Sequence, residues 1–261
     1  MKSVIGKLWL GCAQALAAVV LLLGGGPALA LEADVAVPRI VSFGGACVNC
    51  DLKRRKLAWT RFIGANFSGA DLEGADLRHA SFFGSTFTSA RFVRADLRGA
   101  SIFGAQFNTA DLRGADLSGL EAQGSNLQEA DLRRAKFEFA EMIGCDLTGV
   151  QAQDSSFAHA NLMGAQLTQG KFRKASFKGA NLNGANLGDA DFDQADFKDA
   201  TLLGASLRGA SLGRARNLSQ RQVQDACADS ETRLPRGLRG EICHGGRIVI
   251  RTRRASPQPP Q

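Results

Sequence analysis

Six cysteines, three histidines and 25 carboxylates are the residues of this chain that could carry chemistry. Cys47 and Cys50 make a C-x-x-C pair, Cys227 and Cys243 a wider one, Cys145 stands alone between them, and Cys12 falls in an apolar leader. A C-x-x-C pair can be a redox-active dithiol, a structural disulfide or half of a zinc site. His79, His159 and His244 are the imidazoles, and Asp191, Asp193, Asp196 and Asp199 gather beside Lys198. Paired carboxylates do acid–base work only in a cleft that shifts their pKa values. Which of these chemistries is open depends on the backbone that places the side chains.

That backbone repeats every five residues, a period that belongs to neither a helix nor a strand. In ANFSGADLEGADLRHASF, from Ala65 to Phe82, the large apolar residues are Phe67, Leu72, Leu77 and Phe82. Positions 62, 67, 72 and onward to 212 hold Leu or Phe in 27 of 31 cases, with Ile102, Ala122, Met142 and Ala152 as the exceptions. In the same frame, positions 65, 70 and onward to 215 hold Ala in 24 of 31 cases. One large and one small residue therefore point inward in each group of five, and three face solvent. A longer period appears in Gly64, Gly84, Gly104, Gly124, Gly144, Gly164, Gly184 and Gly204, spaced by twenty residues. Phe67, Phe87 and Phe107 share one column of that period, and Phe137, Phe157, Phe177 and Phe197 another, so like stacks on like.

A chain that turns a corner every five residues and closes after four corners is a square coil, and successive coils stack at ~4.8 Å. The frame from Cys47 to Ala215 makes about eight coils, an all-β solenoid ~40 Å long. Corners with positive φ favour glycine. Ala122 and Ala152 are expected to leave thin places in the core, which Ala122→Leu would fill and so stabilise, unless neighbours such as Leu120 and Val150 already occupy the space.

The motif A-[DN]-L-x-x, as in Ala70-Asp71-Leu72-Glu73-Gly74 and Ala180-Asn181-Leu182-Asn183-Gly184, resembles the pentapeptide-repeat family over about 165 residues in unbroken frame. The resemblance implies a right-handed quadrilateral β-helix, and the handedness comes from the resemblance alone. The flanks, Cys47-Val48-Asn49-Cys50-Asp51-Leu52 before the coils and Ala226-Cys227 with Thr232 to Leu238 and Cys243 after them, resemble exported bacterial members. An open coil end needs a cap. Ser219-Gln220-Arg221-Gln222 reads as a capping box opening a short helix to about Cys227, with Val223 and Ala226 covering the last coil. The expected organisation is a signal peptide at 1–30, an N-terminal segment and cap at 31–50, the β-helix at 51–215, a C-terminal cap at 216–245, and a basic Pro-rich tail at 246–261.

In this frame the chemistry narrows. Cys47 continues the large-residue frame and Cys50 the Ala frame, so both point inward across one corner, within disulfide reach. A Cys47–Cys50 bridge is expected, against a redox-active or reduced pair, and Cys227 and Cys243 are expected to clip the C-terminal cap. The two pairs lie at opposite ends of the rod, too far apart for a four-cysteine zinc site. Cys145 replaces an inward Ala and reads as a small buried hydrophobe. His79 and His159 occupy one corner four coils apart, ~19 Å, too far to share a metal. A convex rod offers the carboxylates no cleft. The expectation is no enzyme, no cofactor, no metal and no small-molecule substrate.

Lys2 and Lys7, the apolar run from Leu8 to Leu23 and Pro27-Ala28-Leu29-Ala30 read as a cleavable secretory signal. The expected location is periplasmic or secreted, or the thylakoid lumen in a host with thylakoids, without membrane contact after cleavage. Between 51 and 215 there are 20 basic and 19 acidic residues; from Arg216 onward there are nine Arg and four acids. The function expected is a non-catalytic exported scaffold or protein-binding module. The alternative is the DNA mimicry of the family's quinolone-resistance proteins, which engage gyrase. Mimicry needs an anionic cytoplasmic rod, whereas this one is neutral, carries an export signal and places Arg54, Arg94, Arg134, Lys174 and Arg214 in one column, so no nucleic-acid partner is expected. One surface stands out. The residue after each large centre is mostly polar, yet beside the all-Gly column it is Ile63, Phe83, Phe103, Gln123, Ile143, Met163, Asn183 and Leu203. A contiguous apolar stripe marks an interaction surface. Its candidate occupants are the capping segments or the stretch from Leu31, a second copy of the chain, and another envelope protein or lipid.

Overall fold

The computed structural model describes residues 41–242. The expected signal peptide at 1–30, residues 31–40, Cys243, His244 and the expected basic tail at 246–261 lie outside the described residues. Inside them the chain is a solenoid whose rungs pair in parallel at a spacing of twenty residues. Strands β1 (Val41–Phe43), β2 (Arg61–Ile63) and β3 (Ser81–Phe83) form a parallel sheet in the order β1-β2-β3, with Phe43 in register with Ile63 and Ile63 with Phe83. Beyond them the same register continues as single bridges, from Ser81↔Ser101 to Asp196↔Arg216. The strands are short because a corner follows every few residues. The ladder begins at Val41, before the boundary expected at Asp51, so the segment placed outside the coils already forms a rung.

Burial follows the frame. Leu72, Leu77, Phe87, Leu112 and their counterparts are sealed, as are the alanines between them. Each large side chain so buried contributes on the order of 1.5–3 kcal/mol before the ordering cost of the chain is subtracted. The Phe columns stack as the sequence implies: Phe67 on Phe87 at 5.0 Å, Phe137 on Phe157 at 4.9 Å, Phe157 on Phe177 at 5.2 Å. Neighbouring columns meet edge to face, as Phe67 and Phe82 do at 89°.

The expected thin places are filled by a swap. At Ala122 and Ala152 the bulk moves two residues earlier, to Leu120 and Val150, which are both fully buried. The two repeats share the pattern Ala-Gln-x-Ser after a large residue, in Leu120-Glu121-Ala122-Gln123-Gly124-Ser125 and Val150-Gln151-Ala152-Gln153-Asp154-Ser155. Each ends in a buried serine whose hydroxyl donates to a backbone carbonyl, Ser125 to Ile102 at 2.6 Å and Ser155 to Ala152 at 2.7 Å. Cys145 is a free, buried thiol 2.8 Å from the Ala122 carbonyl, and burial pushes its pKa up to about 12. It is chemically quiet, as its place in the Ala frame implies.

The C-terminal end closes as a short helix, α1 (Gln220–Gln224), opened by the capping box on Ser219. The helix is shorter than expected because the chain returns to the ladder. Cys227, in β4 (Cys227–Ala228), pairs with Ser206, and Arg233 with Ser211. β4 also pairs in parallel with β5 (Glu241–Ile242). Val223 and Ala226 are buried against the last coil, and Gln222 Nε2 donates to the carbonyls of Phe197 and Ala200, both at 2.8 Å. These carbonyls would otherwise face an unpaired coil end.

Cys47 and Cys50 form a disulfide. Cys50 is buried, but Cys47 is half-buried instead of sealed because it lies in the first described coil. Cys227 is also disulfide-bonded; Cys243, its expected partner, lies outside the described residues.

Candidate functional site

The stripe residues fall in one column, fixed by the hydrogen bonds of the glycine corner beside them. The N–H of Gly64 donates to the Phe83 carbonyl at 2.9 Å, Gly84 to Phe103 at 2.9 Å, Gly104 to Gln123 at 3.2 Å, and so on to Gly184 and Leu203 at 2.9 Å. Phe83, Met163 and Leu203 are 57%, 45% and 59% exposed, while Ile63, Phe103 and Ile143 are half-buried between their neighbours. Asn183 interrupts the column near its upper end and accepts the Leu203 N–H at 2.9 Å.

The glycines of this corner differ from the others. All eight have φ between +59° and +70°, but a Cβ added to any of them would meet nothing within 4 Å. In the other three corners a glycine commonly makes room for the side chain one coil below. A Cβ on Gly99 would come 2.6 Å from the His79 ring, and one on Gly179 would come 2.6 Å from the His159 ring. Positive φ alone does not demand glycine, since Arg94, Glu129, His159 and Asp189 adopt it at the other corners. The all-Gly column therefore has no packing reason. It leaves bare backbone along one edge of the apolar stripe.

The opposite edge carries aromatic residues that the sequence reading passed over. Trp59 and Phe139, 58% and 65% exposed, stack on His79 at 4.2 Å and on His159 at 5.1 Å. The signal was present in the column Trp59, His79, Gly99, Gly119, Phe139, His159, Gly179, Asp199, where aromatic, imidazole and glycine recur after four coils. The two histidines thus sit on the expected corner, each with an aromatic partner. Of the exposed large apolar side chains among the described residues, all but Val48 lie on this side or on its edge.

Past the glycine corner the next side is nearly uncharged, with Asn66, Thr86, Gln106, Asn126, Gln166 and Asn186 along one row. These side chains ladder together, as Asn186 Nδ2 to Gln166 Oε1 at 3.1 Å shows. The charges gather elsewhere and pair. Arg78 grips Asp76 at 2.8 and 2.7 Å, Arg98 grips Asp96 at 2.9 and 2.7 Å, and Arg113 grips Asp111 at 2.7 Å twice. The Arg78 and Arg98 guanidiniums hold the Asp76 and Asp96 carboxyls below the usual range. For Asp196 burial pushes upward, but the Asn217 amide and the Lys198 N–H outweigh it and its pKa is also lowered. Lowered carboxylates held by cations are structural anions, not proton-transfer groups. Among the described residues no group of histidine, cysteine or carboxylate side chains is arranged to hold a metal. No helix among them is long and apolar enough to cross a membrane.

Together these features define a class: a parallel solenoid of four-cornered coils built from five-residue units, with large and small apolar residues alternating inward. The family profile described as Pentapeptide repeats matches in eight copies over 47–82, 80–119, 110–150, 140–179, 160–199 and 175–214. The chain belongs to the pentapeptide-repeat family, and its solenoid is a right-handed β-helix, as the solved members imply. One similar structure is HetL, a pentapeptide repeat protein involved in heterocyst differentiation regulation from the cyanobacterium Nostoc sp. strain PCC 7120. It is 30% identical, with 74% of this chain and 88% of that one covered and a TM-score of 0.47. Another is a trypsin-treated variant of QnrB1, a plasmid-mediated fluoroquinolone resistance protein, at 22% identity, 72% and 91% coverage, and a TM-score of 0.54. A third is a pentapeptide repeat protein of the Arabidopsis thaliana thylakoid lumen, at 25% identity, 46% and 81% coverage, and a TM-score of 0.25. No curated protein matches the chain in sequence.

Proposed function

We propose that the chain is a non-catalytic, exported protein-binding scaffold: a rod of about eight coils, closed by a short C-terminal capping helix, that binds through the apolar stripe and its glycine corner. The observation that carries this reading is the coincidence of the two columns. Eight consecutive glycines occupy positions where a Cβ would have free space, and they lie beside the one outward column that is mostly apolar. A corner without side chains lets a flat partner reach the stripe, and an exposed apolar strip of this length is costly to leave in water. Export is supported by the Lys-flanked apolar leader ending in Ala28-Leu29-Ala30 and by the disulfide-bonded Cys47, Cys50 and Cys227. This points to a periplasmic, secreted or lumenal setting and to another envelope protein or a second copy as partner.

The nucleic-acid mimic is the weaker reading. Its anions would have to be free, whereas Asp76, Asp96 and Asp111 are each clamped by an arginine two residues on.

The test is chemical crosslinking of the full chain in its own cells beside the Phe83→Lys/Phe103→Lys variant. Phe83 is more than half exposed, and both positions follow an inward centre, so the variant is expected to keep the β spectrum and lose the crosslinked species. A folded double variant that keeps every crosslinked species contradicts the proposal.

A further inference from the structure

We infer that the partner of this face is a second copy of the chain, docked antiparallel across a two-fold axis through Gln123. This rests on the reading of the stripe as a binding surface and names its occupant.

Two-fold association of identical faces requires the pattern along the face to read the same from both ends. The stripe does so about Gln123. In the order Phe83, Phe103, Gln123, Ile143, Met163, a polar residue is flanked on each side by two large apolar ones. Laid against a reversed copy, Phe103 meets Ile143, Phe83 meets Met163, and Gln123 meets its own counterpart on the axis. One step further out, Leu203 falls opposite the register position of Phe43, which continues the column below Ile63. Ile63 against Asn183 is the single polar mismatch.

Gln123 fits the axis for a second reason. Its Oε1 is buried and has no hydrogen-bond partner. As it stands the Oε1 is sealed from solvent and out of a partner's reach, so the two carboxamides exchange N–H···O bonds across the axis only if the side chains turn outward, which then satisfies both. The Gln153 Oε1 is also without a partner, although its Nε2 donates to Gln151 Oε1 at 3.4 Å, so the orphan oxygen alone does not single out an axis. Its column, Arg113, Arg133, Gln153, Arg173, Asp193, is charged, and only Gln123 has apolar neighbours on both sides.

The edge columns agree. In the same register Trp59 lies opposite Gly179, Phe139 opposite Gly99, Gly119 opposite itself, and His79 opposite His159. Trp59 and Phe139 of one copy each fall opposite a glycine of the other, where the ring they meet is that of His159 or His79 leaning over it, and the two histidines face each other. At the second edge the glycine corner leaves nothing to hold the two faces apart. One contact opposes association: Glu121, in the neighbouring outward row, falls against its own counterpart. The strip is ~34 Å long with its two outward rows ~7 Å apart, less than the roughly 800 Å² per partner of a standard interface. The dimer is therefore weak and concentration-dependent, and Glu121→Gln should tighten it by up to about 5-fold.

The experiment uses single cysteines in the full chain. Cys12 is first replaced by Ser; of the native cysteines among the described residues, Cys145 is buried and Cys47, Cys50 and Cys227 are disulfide-bonded, so they do not compete. Under mild oxidation Gln123→Cys should give a covalent dimer at least 10-fold faster than Gln153→Cys. A mixture of Phe83→Cys and Met163→Cys should crosslink to each other and not to themselves. Sedimentation velocity should show the wild-type mass rising with concentration and Phe83→Lys/Phe103→Lys remaining monomeric. The mixed pair keeps the test open if Gln123→Cys misfolds. Equal crosslinking of Gln123→Cys and Gln153→Cys, or a wild-type chain that stays monomeric at roughly 1 mM, overturns self-association. If the chain is monomeric yet Phe83→Lys/Phe103→Lys still strips crosslinked species in cells, self-association falls and the scaffold reading stands. If neither measurement responds to the double variant, both fall.

Discussion

At the scale of the residue, the frame assigns nearly every side chain its side of the rod, and the departures are where composition stops being informative. Counting alone makes Ala122 a deficit. The adjacent Leu120 shows that the volume has been moved and not lost, because both positions point inward and the coil needs one large residue between them. Adding Leu at 122 while Leu120 remains is expected to overpack the coil and cost about 1–3 kcal/mol. The exchange Leu120→Ala/Ala122→Leu restores the common pattern and is expected to stay within about 1.5 kcal/mol of wild type by denaturant unfolding. A stabilised Ala122→Leu would mean that the coil holds empty space after all. Trp59 and Phe139 were missed for a related reason. A single aromatic residue at a corner carries no signal until its column is written out beside His79 and His159, since the stacking joins residues twenty positions apart.

At the scale of the element, the repeating coil was legible because five residues make one edge, whereas the ends were not. There the chain leaves the frame, and local geometry decides. The capping box at Ser219 was readable, but the return of Cys227 to the ladder depends on pairing with Ser206, which a helix pattern cannot foresee. The side that carries Asp76 and Asp96 is an element in its own right, a row of carboxylates clamped by Arg78 and Arg98. These carboxyls have folded pKa values below their ordinary 3.8, so the unfolded chain takes up their protons first as pH falls. Their contribution is complete above the ordinary carboxylate range and is lost as pH drops through the lowered values. The clamps are mostly exposed and water screens them, so the effect is modest. The melting temperature is expected to be flat from about pH 7 to pH 5 and to fall as pH goes from about 4 toward 2. A fall already complete by pH 5 would assign the acid response to other groups.

At the scale of the whole molecule, the rod is two-sided. Clamped charges occupy one part of its circumference, and the apolar stripe, the glycine corner and an amide row occupy another. The fold could be read from sequence because every coil repeats the same constraint. The site could be read only in part. Its apolar column shows in the sequence, but the reason for the glycines does not, because positive φ is cause enough for a glycine until the space around each one is known. The central claim is that these glycines are kept for what docks on them and not for the coil. The measurement that tests it most directly is a melt and a sedimentation run on Gly84→Asn/Gly104→Asn. Asn tolerates φ near +60°, and both sites have room for its Cβ. The expected result is a loss of no more than about 1 kcal/mol per site, together with loss of self-association and of the crosslinked species. A variant that unfolds cooperatively at a much lower temperature, or one that keeps its association unchanged, would contradict it.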